Sequence, residues 1–293
     1  MANIIEVRKT IDSFGTLDKS VTFSSPLQLP QYGTLKMQVC SVTLSDRIPN
    51  IFNASPYYSF NNATLLVATN IEPWQRINLQ TGLYQTADTI AAAINNAMGL
   101  LPVTAGGTGW WINNADPGVT FSPNSIIDKM VANLDASKLK PAAGNRFYID
   151  LTLNGVIRPV INEKAGTSLG WTLGYSDANA VWSSNVSPSP TSLWTSDMQV
   201  HMDVQGTSCD IHCSLVSTRR RNDTFVQTIA LIPFAGKNTI SDNVWPSGGQ
   251  ISPVLVYDGL RNIPSVVIEP RTLDNKPMLF MSGTIHIIIS FIY

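Results

Sequence analysis

The sequence predicts a mainly β protein, an antiparallel jelly-roll β-sandwich with an inserted α+β domain. Three observations lead there. Apolar residues recur with a period of two along most of the chain. Helical spacing is confined to the middle. Strand-like segments lie on both sides of that middle, the arrangement a sandwich gives when one of its loops carries an excursion. The expected boundaries assign 1–70 and 190–293 to the jelly roll and 71–189 to the insertion.

Each element follows from its own pattern. Val21, Phe23, Leu27 and Leu29 share one face of a first strand that Pro30 ends. Between Leu35 and Leu44 the apolar phase switches, from Met37 and Val39 to Cys40, Val42 and Leu44, which predicts a β-bulge. Phe147, Ile149, Leu151 and Leu153 alternate with Tyr148, Asp150 and Thr152. Met198, Val200, Met202 and Val204 alternate with Gln199, His201 and Asp203. Cys209, Ile211, Cys213 and Leu215 repeat the pattern after a Gly206-Thr207 turn. Phe225 to Ile232 and Ser265 to Glu269 read as further strands, and Asp274-Asn275-Lys276 as a tight connection. The last strand puts Ile285, Ile287, Ile289, Phe291 and Tyr293 on one face. Such a strand belongs inside a sheet, because a free edge of that composition aggregates.

Two helices are expected. Thr86 or Asp88 can cap the first, whose stripe is Ile90, Ile94 and Met98. Asn124 can cap the second, with Ile127, Met130, Val131 and Leu134 inward. A Gly- and Trp-rich loop, Ala105 to Trp111, separates them, and a Ser- and Pro-rich loop spans Ser183 to Ser192.

Composition bounds the function. In 293 residues, 19 Lys and Arg balance 20 Asp and Glu, for a net charge of -1. Charged residues make up 13%, about half the ordinary share, while apolar residues reach 44%. That excludes a disordered acidic or basic chain and a protein built to grip a nucleic-acid backbone, and it predicts no specific nucleic-acid recognition. So little surface charge suits a subunit covered by neighbours. The opening residues Met1 to Lys9 lack the apolar stretch of a signal peptide, and the closing apolar run is too short to span a bilayer. With 3 cysteines and no export signal, synthesis inside the host cell is expected rather than a disulfide framework. The sequons at Asn53, Asn62, Asn185 and Asn222 then carry no weight.

No motif demands catalysis. Gly166-Thr167-Ser168-Leu169-Gly170 spells a nucleophile elbow without its parallel strand and long helix, so it reads as a turn with a short helical segment. Cys209-Asp210-Ile211-His212-Cys213 on a strand divides its ligands between two faces, which favours two buried structural cysteines over a metal site. Gly106-Gly107-Thr108-Gly109 lacks the lysine of a phosphate loop. Asp150 and Asp203 are expected on outward strand faces, solvated. No catalytic residue, cofactor or metal is assigned. Candidate interface residues are the dense run Arg219, Arg220 and Arg221, otherwise a solvated loop, and the pair Trp110 and Trp111. That pair suits a subunit contact, a carbohydrate platform or partial burial in the insertion.

Several segments together resemble the penton (minor capsid) proteins of virophages and polinton-like viruses. Leu27-Gln28-Leu29, the strand from Leu35 to Ser45 and Ile48-Pro49-Asn50-Ile51-Phe52 are similar to that family's opening pair of strands and "Asn-Ile" turn. Ile77 to Tyr84, leading into the helix that carries Ile94-Asn95, is similar to its "G-Y-Y" element. Ser168-Leu169-Gly170-Trp171 resembles its "L-L-G-F" element, with Trp for Phe. Arg261-Asn262-Ile263-Pro264, Asp274-Asn275-Lys276-Pro277 and Met281-Ser282-Gly283 resemble its closing strands, with Lys276-Pro277 where the family has Gly in the turn. The resemblance implies a single jelly roll with an insertion domain, a non-enzymatic homopentamer at the five-fold vertices of an icosahedral DNA virus capsid. Its partners would be a neighbouring major capsid protein and a fibre or receptor. Strand-edge loops at one end of the sandwich would face the interior and the insertion would project outward. Two rivals stand beside it. A double jelly-roll major capsid protein forming trimers needs about sixteen strands, from two rolls of eight, more than the pattern provides. A carbohydrate- or receptor-binding sandwich such as a fibre head would use Trp110, Trp111 or Trp182.

Overall fold

The computed structural model describes residues 2–11, 15–16, 19–52, 62–101, 110–113, 115–140, 146–152, 168–176, 179–185, 191–202, 204, 208–215, 219–221, 224–233, 239–244, 255–257, 261–273, 275–281 and 283–292. Leu153, Asp203, Tyr293 and the 106–109 glycine loop lie outside them. The chain opens with β1 (Ala2–Ile11), β2 (Gly15–Thr16), β3 (Lys19–Gln28) and β4 (Leu35–Arg47). The middle holds β5 (Thr64–Thr69), β6 (Gln75–Asn78), α1 (Ala87–Gly99), β7 (Val119–Asn124), β8 (Lys129–Asp135), β9 (Arg146–Asp150), α2 (Leu169–Thr172), β10 (Val181–Asn185) and β11 (Thr191–Thr195). It closes with β12 (Ser208–Cys213), β13 (Arg219–Arg221), β14 (Thr224–Val226), β15 (Thr228–Pro233), β16 (Thr239–Val244), β17 (Leu255–Tyr257), β18 (Asn262–Arg271), β19 (Leu279–Phe280) and β20 (Gly283–Ile292). Two units result: Met1–Pro49 with Gln205–Tyr293, and Asn50–Val204. The expected divisions at 70/71 and 189/190 differ because Leu65 and Val67 of β5 and Trp194 of β11 belong to the core of the second unit.

The first unit is a β-sandwich of two antiparallel sheets, ordered β1-β20-β4-β16 and β15-β12-β18-β3. Numbering its eight main strands along the chain gives 1-8-3-6 and 5-4-7-2, the strand order of a jelly roll. β17 pairs with the Leu35–Met37 stretch of β4, while β16 pairs farther along the same strand. One core joins the sheets: Met37, Ile287 and Phe291 from the first meet Ile211, Val266 and Ile268 from the second. β20 lies between β1 and β4, so the apolar last strand has no free edge. The bulge foreshadowed by the phase switch is present. Ile288 faces Ser41 and Ile289 faces Val39, leaving Cys40 as the extra residue. β1 has no counterpart among the expected strands; its Glu6 reaches across to His286 at 2.7 Å. Of the expected tight connection, Asp274 lies outside the described residues; beside it Asn275 adopts φ 63 and Thr272 N–H donates to the Lys276 carbonyl.

The second unit has two antiparallel sheets, β10-β9-β5-β6 and β11-β8-β7, and helix α1 beside β7. Thr86 is the cap of α1: its hydroxyl accepts from Thr89 N–H while the Thr89 hydroxyl accepts from Thr86 N–H, a reciprocal capping box. Ile90, Ile94 and Met98 are buried as the stripe predicts. The second expected helix is instead the β7–β8 hairpin. Met130, Ala132 and Leu134 are buried in alternation with Lys129, Val131 and Asn133, and Ile127 is exposed at the turn. The expected strand at Met198–Val204 is also absent from the described residues. The backbone N–H groups of Met198, Val200 and His201 donate to Gly174, Asp128 and Thr172, so they build turns and not a ladder. The two ends of the expected Ser183–Ser192 loop belong to β10 and β11, and residues 186–190 lie outside the described residues.

Candidate functional site

The segments singled out in the sequence meet in the second unit, at a buried polar junction. Asn50 donates from Nδ2 to the Tyr84 carbonyl (2.8 Å) and accepts at Oδ1 from Tyr84 N–H (2.9 Å). Next to it Ile51 and Gly82 exchange backbone hydrogen bonds. Asn62 accepts from Phe52 N–H and donates to the Asn50 carbonyl and to Thr172 Oγ1, the last at 3.0 Å. Thr172 ends α2, the short helix that Ser168 caps by accepting from Trp171 N–H. Asn95 makes a second clasp of the same kind, donating to the Phe121 carbonyl and accepting from Phe121 N–H. Amides paired this fully hold a unique geometry.

Ser168 thus caps the short helical segment expected after it, while Gly166 and Thr167 of the motif lie outside the described residues. Trp110 and Trp111 are a correction: both are about 1% exposed and sit in the core against Phe147. Trp111 Nε1 donates at 2.8 Å to the Met98 carbonyl in the last turn of α1, which also accepts from Leu101 N–H at 3.4 Å. Neither indole presents a face to a sugar or a neighbour. Trp182 is half-buried and stacked on Trp194. Arg219–Arg221 form β13, paired antiparallel with Thr224–Val226, so the basic run is one arm of a short hairpin.

Cys209 and Cys213 are buried in the sandwich core, where loss of water pushes both thiols up, Cys213 to about 12. His212 lies on the opposite face of β12, as the strand spacing requires. Burial lowers its affinity for a proton, and Arg271 lowers it further. Among the described residues no three His, Cys, Asp or Glu side chains come together as metal ligands. Asp150 is a second correction. It is about 1% exposed, and its carboxylate accepts from Thr152 N–H at 2.7 Å, so the acid is enclosed.

An open groove of about 610 Å³ lies beside β5, β9 and β10. Ser183, Tyr148 and Ala68 stand opposite one another on those three strands and form its floor. Trp74, just before β6, leans over Tyr148 with ring centroids 6.1 Å apart and planes at 52°. The 69–72 turn makes the wall, with Thr69 Oγ1 accepting from the N–H groups of Ile71 and Glu72. Sequence reasoning missed this groove. Its one local signal was an aromatic Tyr148 on the face opposite Phe147 and Ile149.

The fold defines a class: a mainly β protein whose antiparallel sandwich has jelly-roll order and carries an insertion between β4 and β12. No family model matches the chain, and no curated protein does. Among solved structures it is similar to the mavirus penton protein, in a crystal of the selenomethionine-labelled form, with 11% identity and a TM-score of 0.43 over 99% of each chain. No helix among the described residues is long and apolar enough to cross a membrane.

Proposed function

We propose that the chain is a non-enzymatic structural subunit of an icosahedral virus shell, and specifically a penton that closes five-fold vertices as a homopentamer. The observation that carries this reading is the jelly-roll strand order with one long excursion between Arg47 and Ser208. Jelly rolls are a standard shell-building architecture, since two flat sheets give a wedge with broad sides for neighbours. Two further observations support it. The segments that resemble penton proteins, around Asn50, Gly82 to Tyr84 and Ser168 to Trp171, meet at one junction although they lie far apart in the chain. The charge content of 13% suits a surface largely covered by other subunits. A trimeric double jelly roll is disfavoured, because the described sheets of the second unit run β10-β9-β5-β6 and β11-β8-β7, not a second roll.

Head-to-tail contacts close into a ring only when the rotation between copies divides the circle. Native mass spectrometry of the purified protein, over a range of concentration and salt, tests the reading. Five subunits are expected. Three would move the assignment to a trimeric capsomer or fibre head, and a monomer at every concentration would overturn self-assembly as a ring.

A further inference from the structure

We propose that His201 is an acid-sensitive latch on the stretch by which the chain leaves the second unit, so that mild acid loosens residues 198–202 while the core of that unit stays folded. The unit ends at Val204, just beyond this residue. Three backbone hydrogen bonds hang the stretch on the rest of the unit. Met198 N–H donates to the Gly174 carbonyl at 2.8 Å, Val200 N–H to that of Asp128 at 3.2 Å and His201 N–H to that of Thr172 at 2.8 Å. None of these bonds belongs to a sheet among the described residues, so the stretch can open without breaking a ladder. Side chains hold it as well. Val200 and Met202 pack, partly buried, against the core, and the His201 ring lies on Trp171 with the two planes only 12° apart. Apolar contact of that kind does not change with pH. The histidine does.

Nε2 of His201 is enclosed and has no hydrogen-bond partner among the described residues. A neutral imidazole tolerates this by carrying its single proton on Nδ1 and burying a bare lone pair at Nε2. A second proton must go to Nε2, where it makes a charged N–H with no acceptor, a costly group to enclose. The face of Trp171 attracts a cation and offsets part of that cost, so acid loosens the latch and does not abolish it. Other charges leave the ring alone. Helix α2 carries no ionisable side chain, and the Tyr175 phenol after it donates to the Trp194 carbonyl. The charged groups on the remaining elements around the stretch are Asp128 and Lys129 of the β7–β8 hairpin and Asp197 ahead of it. Asp197 is taken up by Ser176 and Asn179 and attracts Lys129. Asp203 lies outside the described residues. Burial is the cause that lowers the proton affinity of His201, with no contribution from a neighbouring charge. The released ring therefore binds a proton more readily than the latched one, and acid favours release.

The latch lies within the second unit, so ring formation can fail while it stands. His201 is also the one histidine of that unit, since His212 and His286 belong to the first. The test is hydrogen exchange of the full-length protein at pH 7 and pH 5, read by mass spectrometry on peptides and corrected for the intrinsic rate at each pH. Protection across 198–202 should fall about threefold or more at pH 5. The ceiling is about thirtyfold, set by a released histidine that titrates near pH 6.5. Helix α1 and strand β8 should keep their protection. His201→Phe retains the stack and removes the titration, so protection across 198–202 should be the same at both pH values in that variant. Should it fail to fold, NMR titration of the His201 ring in the parent protein takes its place, with a midpoint expected below 6.5. Unchanged protection at pH 5, or a fall shared equally by α1 and β8, would overturn the proposal. So would the same fall in a folded His201→Phe, or a His201 midpoint at or above about 6.5.

Discussion

Asn50 and Tyr84 hold each other through a closed pair of hydrogen bonds, the amide side chain of one occupying both backbone groups of the other at 2.8 and 2.9 Å. The pair joins the segment that follows β4 to the segment that precedes α1. With Asn62 bridging to Thr172, it fixes the first turn of the second unit against α2. Three short motifs that look unrelated along the chain are therefore parts of one object.

The junction should be costly to break. Asn50→Ala leaves the N–H and C=O of Tyr84 without their partner; these groups are half-buried, so the cost is at the low end of the roughly 1–3 kcal/mol of a fully buried group. Asn96→Ala, on the exposed side of α1, is the control and should be neutral or slightly stabilising, because Ala favours helix. Thermal and urea unfolding of both variants checks this. Equal stability would mean that water replaces the clasp at no cost.

Gly174 is a second fixed point. It has φ +86, and a Cβ there would lie 2.4 Å from the Met198 carbonyl oxygen and 2.6 Å from that of Gln199. Gly33 has a similar φ of +95 with nothing within 4 Å. Gly33→Ala should cost only backbone strain, about 1–2 kcal/mol. Gly174→Ala should cost clearly more, since two carbonyls must also move. Comparing the two melting shifts separates strain from collision, and similar shifts would show that the Met198–Gln199 backbone yields freely.

Much of the sandwich was legible because a strand buried on one face must alternate. The sharpest case is Cys40: one residue of phase change in β4 located the bulge that the register with β20 shows. The same logic failed where local chemistry imitates another element. Asn124 accepts from Ile126 N–H two residues on, and in sequence this Asx-turn looks like a helix cap. Met130 and Leu134, four apart, fit a helix stripe as well as they fit β8. β1 escaped notice because Ile4-Ile5 interrupts alternation and Glu6, Arg8 and Lys9 suggest a solvated tail. The groove was illegible for another reason. It depends on Trp74 folding over a strand more than seventy positions away in the chain, a pairing no short-range pattern encodes.

The cysteines of β12 give a chemical test of the core. Burial raises both thiols, Cys213 to about 12, so almost no thiolate exists at neutral pH. Neither should react with iodoacetamide in the native protein over hours, and both should react promptly in denaturant. Peptide mapping by mass spectrometry reads the two sites separately. Rapid native labelling at Cys209 or Cys213 would mean that β12 leaves the sandwich easily.

Stability should also fall as the medium turns mildly acidic, through two histidines. His201 lies flat against Trp171, with ring centroids 4.4 Å apart, and burial lowers its proton affinity. His212 is lowered in the same sense by burial and by Arg271, and its Nδ1 is enclosed without a hydrogen-bond partner among the described residues. A folded-state pKa below the unfolded value of about 6.5 means that the unfolded chain binds more protons in this range. The contribution of each histidine is therefore complete above about pH 6.5 and is lost as pH falls toward the folded-state value. Most carboxylates titrate lower, near pH 4, so the window around pH 5 to 6.5 isolates the histidines. Urea midpoints should decline between pH 7.5 and 5, and His201→Phe, which keeps the stack on Trp171, should flatten the decline. An unchanged midpoint in the parent protein would show that both rings take up protons in the folded state as readily as in the unfolded chain.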